Sequence, residues 1–291
     1  MRSWTRRSAS TAGLASVATA LAASAATEDA YPFWEVQSGG ASVYLMGDGG
    51  AVTAPWRSAR IERALAGCGS FWREEAPGEL GPDAVTKLIA AGTNPARPLS
   101  TWLTPAEQRR VRDAVGRVGA TFDRIAAFEP WLAAGALGVF YARQAASGAP
   151  GPGPVLNAAA AAQGKRIWTE LPDTDAYLAL WSGFSSAAQV EQLMFVVDEI
   201  DAGPSGHARA AAAYESGDLS LEAKRVADEA RVYPQKYEAE VAVRNRRWPP
   251  RIRLMIKDGG SSFVFVGADH LFGPEGVLAL LARDGMAARR I

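Results

Sequence analysis

Only one cysteine, Cys68, and two histidines, His207 and His270, occur in 291 residues. A single cysteine excludes an intramolecular disulfide and a cysteine-built metal cluster, so the fold must stand on its core even in an oxidising compartment. Nothing beside Cys68 would activate its thiol, and its place at the end of a helical pattern reads as a small buried residue. An excess of charge is also missing: 31 Lys and Arg balance 31 Asp and Glu. That balance provides no field to gather nucleic acid or acidic polymers, and nucleic acid is not expected as a partner. The chain further lacks an apolar run long enough to span a bilayer, because the most continuous one near the N-terminus, Ala12 to Ala23, is short and weakly apolar.

That weak run instead has the layout of an export signal. Arg2, Arg6 and Arg7 give a basic start, and Ala23-Ser24-Ala25 forms an A-x-A-like cleavage site. The expectation is a signal peptide over residues 1–26 and a mature domain over 27–291, periplasmic or secreted, with no transmembrane segment. The Arg6-Arg7 pair permits a twin-arginine route, although the residues after it fit that signal poorly.

With 48% hydrophobic residues the mature chain can bury a full core. Phe33–Val36 and Ser42–Met46, separated by Ser38-Gly39-Gly40, read as a hairpin. Ser58 opens a short helix stopped by Gly69, and Ser70–Arg73 is the next strand. Thr104 with Glu107 three residues on caps an amphipathic helix over Pro105–Val118, and Pro130–Gln144 is a more apolar one. Ser147–Pro154, rich in Gly and Pro, reads as a solvated connector. Val155–Gln163 is helical and Arg166–Thr169 another strand. Helical segments follow near Asp173–Trp181, Ser186–Asp201, His207–Glu215 and Leu221–Glu229, and a longer one over Pro234–Lys257 breaks at Trp248-Pro249-Pro250. Phe263–Val266 is an unbroken apolar run, the pattern of a strand buried on both faces, and Ala287–Ile291 closes the chain as an edge strand. The class is α/β: a parallel or mixed central sheet flanked by helices, with a large helical insertion lobe at about 171–250.

His270 lies in the turn between the strand ending at Gly267 and a helical pattern beginning near Gly273-Pro274. Ligands in open α/β sheets bind outside the carboxyl ends of strands, so that histidine is a candidate for chemistry. Gly47-Asp48-Gly49-Gly50 ends another core strand in a glycine-rich turn that lacks both the lysine of a phosphate loop and a dinucleotide fingerprint. Glu74 and Glu75 close the strand after Trp72. Glu170 ends the next strand, where Pro172-Asp173 suits a capping turn equally well. Arg244 reads either as part of a polar site or as one half of a structural ion pair. His207, in a helix start within the lobe, reads as a surface or capping residue.

Several blocks together resemble the TraB/GumN family, related to the Tiki metalloproteases and more distantly to the erythromycin-esterase and ChaN-like proteins. They are Pro32–Val36 leading to Val43–Gly47, Glu74 or Glu75, Pro130-Trp131-Leu132, Gly217-Asp218, Arg244–Trp248, and Val266–Leu271 with Gly273 and Gly276. The resemblance covers about Tyr31 to Ile291. It implies two Gly-x-x-His motifs, one after each of two core strands, completed by a glutamate and an arginine. It also implies a metal-dependent, peptidase-like hydrolase, with His270 as a metal ligand and Glu74, Glu75 and Arg244 as catalytic groups; Asp48 and Asp269, on the same two turns, are the candidates to complete the metal ligands. The second motif is intact as Gly267–His270, but the first has Gly50 where its histidine belongs. An aspartate-rich, one-histidine site favours a harder divalent ion such as manganese or magnesium, bound weakly or not at all. Whether the chain is an enzyme therefore stays open. The alternative is a non-catalytic protein that binds a peptide, a glycan fragment or another small ligand in the same pocket.

The export reading has a direct check. Protein recovered from the cell envelope should begin near Ala26 by N-terminal sequencing; a full-length chain confined to the cytoplasm would contradict the reading.

Overall fold

Two glycines set the first turn of the sheet. Gly39 and Gly40 adopt φ of 58° and 85°, the left-handed pair that a two-residue hairpin turn requires and that costs glycine nothing. They join β1 (Phe33–Ser38) to β2 (Ala41–Asp48), with Ser38 opposite Ala41 and Phe33 opposite Met46. In this computed structural model, which describes residues 29–50, 52–75, 81–145 and 150–291, the remaining strands are β3 (Ser70–Glu75), β4 (Arg166–Leu171), β5 (Ser261–Gly267) and β6 (Ala288–Arg290). The proposed signal peptide lies outside the described residues. The six strands form one mixed sheet in the order β4-β3-β5-β2-β1-β6. β2, β5, β3 and β4 run parallel, and β1 and β6 close one edge antiparallel. The strands expected near Val43, Phe71, Ile167 and Val264 thus share a single sheet.

The helices, in chain order, are α1 (Ala59–Gly67), α2 (Pro82–Gly92), α3 (Pro105–Arg117), α4 (Pro130–Ala145), α5 (Pro152–Ala162), α6 (Thr174–Ser182), α7 (Ser186–Ser216), α8 (Ser220–Val232), α9 (Pro234–Tyr237), α10 (Val243–Asn245), α11 (Trp248–Asp258) and α12 (Val277–Arg283). Strand alternation sorts the core between the two sheet faces. Val264 and Val266 join Val36, Val43 and Leu45 on one face, beneath Trp248, Ile252 and Leu281 of α11 and α12. Phe263 and Phe265 join Phe33, Met46 and Phe71 on the other, beneath Ile61, Leu65, Leu156 and Ala160 of α1 and α5. Covering both faces is what a continuous apolar strand demands.

A third core holds the helical lobe together, with Val111, Val115, Leu137, Leu193 and Val197 buried between α3, α4 and α7. The lobe therefore draws on residues 82–145 as well as on the region after β4. No helix of the described residues is long and apolar enough to cross a membrane.

Local signals explain most boundaries. Ser58 Oγ accepts from the Ile61 N–H at 3.2 Å, and Thr104 and Glu107 form the reciprocal capping box. Two boundaries differ from the sequence reading and one expected break is present. The connector expected to run to Pro154 ends sooner, because α5 starts at Pro152, where proline fits the first turn and is buried with Gly153. The two helices expected between Ser186 and Glu215 are both present within α7, parted by a kink where Gly203, at φ 65° and ψ −173°, leaves helical geometry before Pro204. The break expected at Trp248-Pro249-Pro250 falls at Arg246-Arg247, so the prolines begin α11 instead of interrupting a helix.

Glycine positions test the packing. A Cβ on Gly92 would stand 2.7 Å from both Trp131 and Leu132, whereas one on Gly116 of α3 would meet nothing within 4 Å. Gly92→Ala is expected to lower the unfolding free energy by about 1–3 kcal/mol. Gly116→Ala should raise it by roughly 0.5–1 kcal/mol through helix propensity. Urea denaturation of the two variants decides both signs.

Candidate functional site at the carboxyl edge of the sheet

β3 and β4 bring two acids side by side. Arg73 aligns with Thr169 and Glu75 with Leu171, so Glu74 and Glu170, between those pairs, project from the same face. It is the face on which Trp72 stacks on Trp168, with ring centroids 5.1 Å apart. One guanidinium separates the two carboxylates. Arg244 Nη2 lies 2.9 Å from Glu170 Oε2 and 3.3 Å from Glu74 Oε2. Burial alone would lower the Arg244 pKa, but Glu74 and Glu170 outweigh it and hold the group firmly charged. Arg244 Nε and Glu170 Oε1 stay buried without a hydrogen-bond partner among the described residues.

β5 contributes the other half. Its last residue, Gly267, donates its N–H to Glu74 Oε1 at 2.5 Å. A Cβ there would fall 2.4 Å from Asp269 Oδ1 and 3.3 Å from Glu74 Oε1, so a side chain cannot be accommodated without displacing a carboxylate. The 3-10 turn Ala268–His270 follows and buries His270, which is 2% exposed. His270 Nε2 faces Glu74 Oε1 at 3.5 Å, and Nδ1 lies 2.6 Å from Asn245 Oδ1. Since Asn245 Nδ2 donates to the Glu275 carbonyl at 2.8 Å, its Oδ1 is the atom turned to the imidazole and accepts from Nδ1–H. Nε2 therefore donates to Glu74 only when the ring carries both protons. Of this group Glu74 is the accessible member, its side chain 21% exposed against 3% for Glu170 and 6% for Arg244.

Asp269 flanks that cluster and Asp48 stands apart from it. Asp48 ends β2 on the opposite sheet face, two residues beyond the core residue Met46, where its Oδ1 accepts from the Gly50 N–H at 2.8 Å. Its carboxyl is raised to about 6, chiefly by burial, with the Gly50 bond offsetting part of the rise and the charges of Glu74 and Asp269 contributing to it. Asp269 Oδ1 accepts from the His270 N–H at 3.1 Å. Burial would raise Asp269, yet His270, Arg225, Lys236 and Arg244 together hold it down at about 2. The Glu75 backbone closes β3, and its side chain lies outside the described residues. His207 packs edge-on against Tyr141 within the lobe.

The structure thus joins His270, Glu74 and Arg244, adds Asp48 and Asp269 at the same sheet edge, and leaves His207 outside. The donors do not fit a tightly held divalent ion. His270 offers one nitrogen, the carboxylate it faces is shared with a fixed guanidinium, and Asp269 already lies among cations. Among the described residues no three His, Cys, Asp or Glu side chains could hold a metal ion together.

Two contributors escaped the sequence reading. Asn245 lies in a recognised block but received no role, and Glu170 resembled a capping turn. The π-helical residues Glu238–Ala242 immediately before Val243 place Arg244 and Asn245, consecutive in sequence, both in the buried site. Such turns often occur at functional sites, but an apolar pattern does not reveal them. The other motif residues are structural. Gly217 ends α7 at φ 69° with the Ala30 carbonyl 2.1 Å from where a Cβ would be. Asp218 accepts from the Ser220 N–H at 2.9 Å, and Gly49 lies under the Tyr214 ring.

A mixed α/β sheet with a polar cluster at the carboxyl ends of its strands, roofed by helices, defines the class. Within it, the TraB/PrgY/gumN family model matches residues 32–290, and the chain belongs to that family. No curated protein and no solved structure matches the chain.

Removing Arg244 should expose the energetics of the cluster. Arg244→Met leaves Glu170 buried and uncompensated and is expected to cost about 3–5 kcal/mol of stability. The double variant Arg244→Met with Glu170→Gln should recover most of that loss in chemical denaturation at neutral pH. If the double variant is no more stable than the single one, the pair is not coupled.

Proposed function

We propose that the chain is a hydrolase of peptide or related acyl bonds that works through carboxylates at the sheet edge without a catalytic metal. The observation that carries this reading is that two carboxylates at one sheet edge, Glu74 on one face and Asp48 on the other, lie in different environments. Glu74 is held by the Gly267 N–H and Arg244 and faced by His270, whereas Asp48 is raised to about 6. Divergent environments for two acids are an arrangement that can divide acid–base roles. Asp48 is the proton-transferring group: its carboxylate takes a proton from water as the oxygen attacks the acyl carbon, then returns it to the departing amine or alkoxide. Glu74 supplies fixed negative charge at the same sheet edge. Arg244, His270 and Asn245 are positioning residues that hold Glu74 in place.

The proposal also locates the mature domain in the periplasm or outside the cell. Arg2, Arg6, Arg7 and the Ala23-Ser24-Ala25 site support that. A second reading, a non-catalytic protein that binds a peptide or other small ligand at the same edge, is favoured by one feature. Gly50 has taken the place of the motif histidine in a left-handed turn, φ 73°, that a histidine would occupy under strain.

A screen of purified protein against fluorogenic peptides and esters, with chelator present, separates the two readings. Turnover should persist in chelator, fall below about pH 6 as Asp48 becomes protonated, and drop by a factor on the order of 10² or more in Glu74→Gln. Asp48→Asn should remove the acidic limb along with most activity. Turnover that vanishes in chelator and returns with manganese would overturn the metal-free mechanism, and binding of a peptide without turnover would support the second reading.

A further inference from the structure

Away from the sheet, α2, α4, α6 and α7 enclose a pocket of about 560 Å³ that has no part in the chemistry above. Its size falls in the ~300–1,000 Å³ range of small-molecule sites. The interior is apolar, with Leu88, Ile125, Trp131 and Leu132 buried along it. The rim is apolar as well. Val85, Ile89 and Val139 line the pocket yet are 42%, 43% and 51% exposed, and they account for three of the seven large hydrophobic side chains left exposed among the described residues. Exposed apolar residues gathered at one opening mark a binding surface, whereas scattered ones do not.

The polar groups give the occupant a sign. Arg124 and Arg143, both exposed, line the pocket, and no acidic residue does. Trp181 and Gln192 line it too, and Trp181 Nε1 and Gln192 Oε1 are buried without a hydrogen-bond partner among the described residues. A buried indole N–H left open at the pocket wall can donate to a water or to an acceptor on a bound molecule.

We propose that this lobe pocket binds an amphipathic carboxylate, an aliphatic chain lying among Leu88, Trp131 and Leu132 with its head group on Arg124 and Arg143. Guanidinium groups recognise carboxylates through paired, charge-assisted hydrogen bonds, and the acid-free lining leaves them no competing partner inside the pocket. The apolar interior excludes a small hydrophilic anion, and the two arginines disfavour a cationic amphiphile. The site is independent of the sheet-edge chemistry.

Calorimetry with dodecanoate, dodecanol and dodecyltrimethylammonium, each below its micellar concentration, tests this on the purified protein. Dodecanoate should bind saturably at one site, dodecanol at least tenfold more weakly, and dodecyltrimethylammonium not at all. The double variant R124Q/R143Q should reduce dodecanoate affinity to the level of dodecanol. Ile89→Glu with Val139→Glu, both at exposed positions and therefore compatible with folding, should abolish binding while leaving the circular dichroism unchanged. Asp48→Asn should bind dodecanoate like the parent, which separates this site from the proposed hydrolytic one. No saturable heat with dodecanoate, equal affinity for all three amphiphiles, or parental affinity in both double variants would each overturn the proposal.

Discussion

The placement of Arg244 between Glu74 and Glu170 is the constraint on which the site depends. Like charges on neighbouring strands repel, and removing them from water costs several kcal/mol per ion by general estimates. The parallel alignment of β3 and β4 nevertheless puts the two acids next to each other near the strand ends. One guanidinium compensates both, and it reaches them only because the chain crosses that sheet face just before α11. Trp248 and Ile252 of α11 are buried against the sheet core and fix that crossing. Asn245, the next residue, turns the same crossing into a clamp on His270.

Charge burial continues beyond the site. Lys236, 2% exposed, bonds Glu229 and lies 3.0 Å from Glu240. Arg225 pairs with Glu222 at 2.6 Å and reaches Glu229 at 3.6 Å. These cations, with Arg244 and His270, hold Asp269 ionised. A buried ionic network is weak evidence for stability, since packed apolar residues often serve as well. Its concentration beside the carboxyl ends of β2, β3 and β5 fits a functional arrangement.

The sheet was largely legible because its signals are local. The four-residue apolar run at Phe263–Val266, the double glycine at 39–40 and the capping box at Thr104 each act within a few residues, and each appears where expected. Boundaries set by tertiary context were not. Pro249-Pro250 looked like an interruption because proline stops a helix from within, yet it also starts one, and only the chain path through Arg246-Arg247 distinguishes the two cases. The share of residues 82–145 in the lobe depends on contacts between α4 and α7 that no periodicity encodes. At the site, Glu74 and His270 were visible as polar residues at strand ends. The roles of Asn245 and Glu170 were hidden, because an asparagine inside a helix and an acid before a proline both have ordinary local explanations. Asp48 was grouped with His270 as a metal ligand, because its place on the opposite sheet face and its raised pKa depend on strand pairing and on neighbours distant in sequence.

The most direct test of a site built on a guanidinium instead of a metal ion is an anomalous difference map from a crystal grown with excess manganese. The account predicts no peak within coordinating distance of His270 Nε2 and the Glu74 carboxylate, with Arg244 still bridging Glu74 and Glu170. A manganese peak joining His270 to Glu74, with Arg244 displaced, would contradict it.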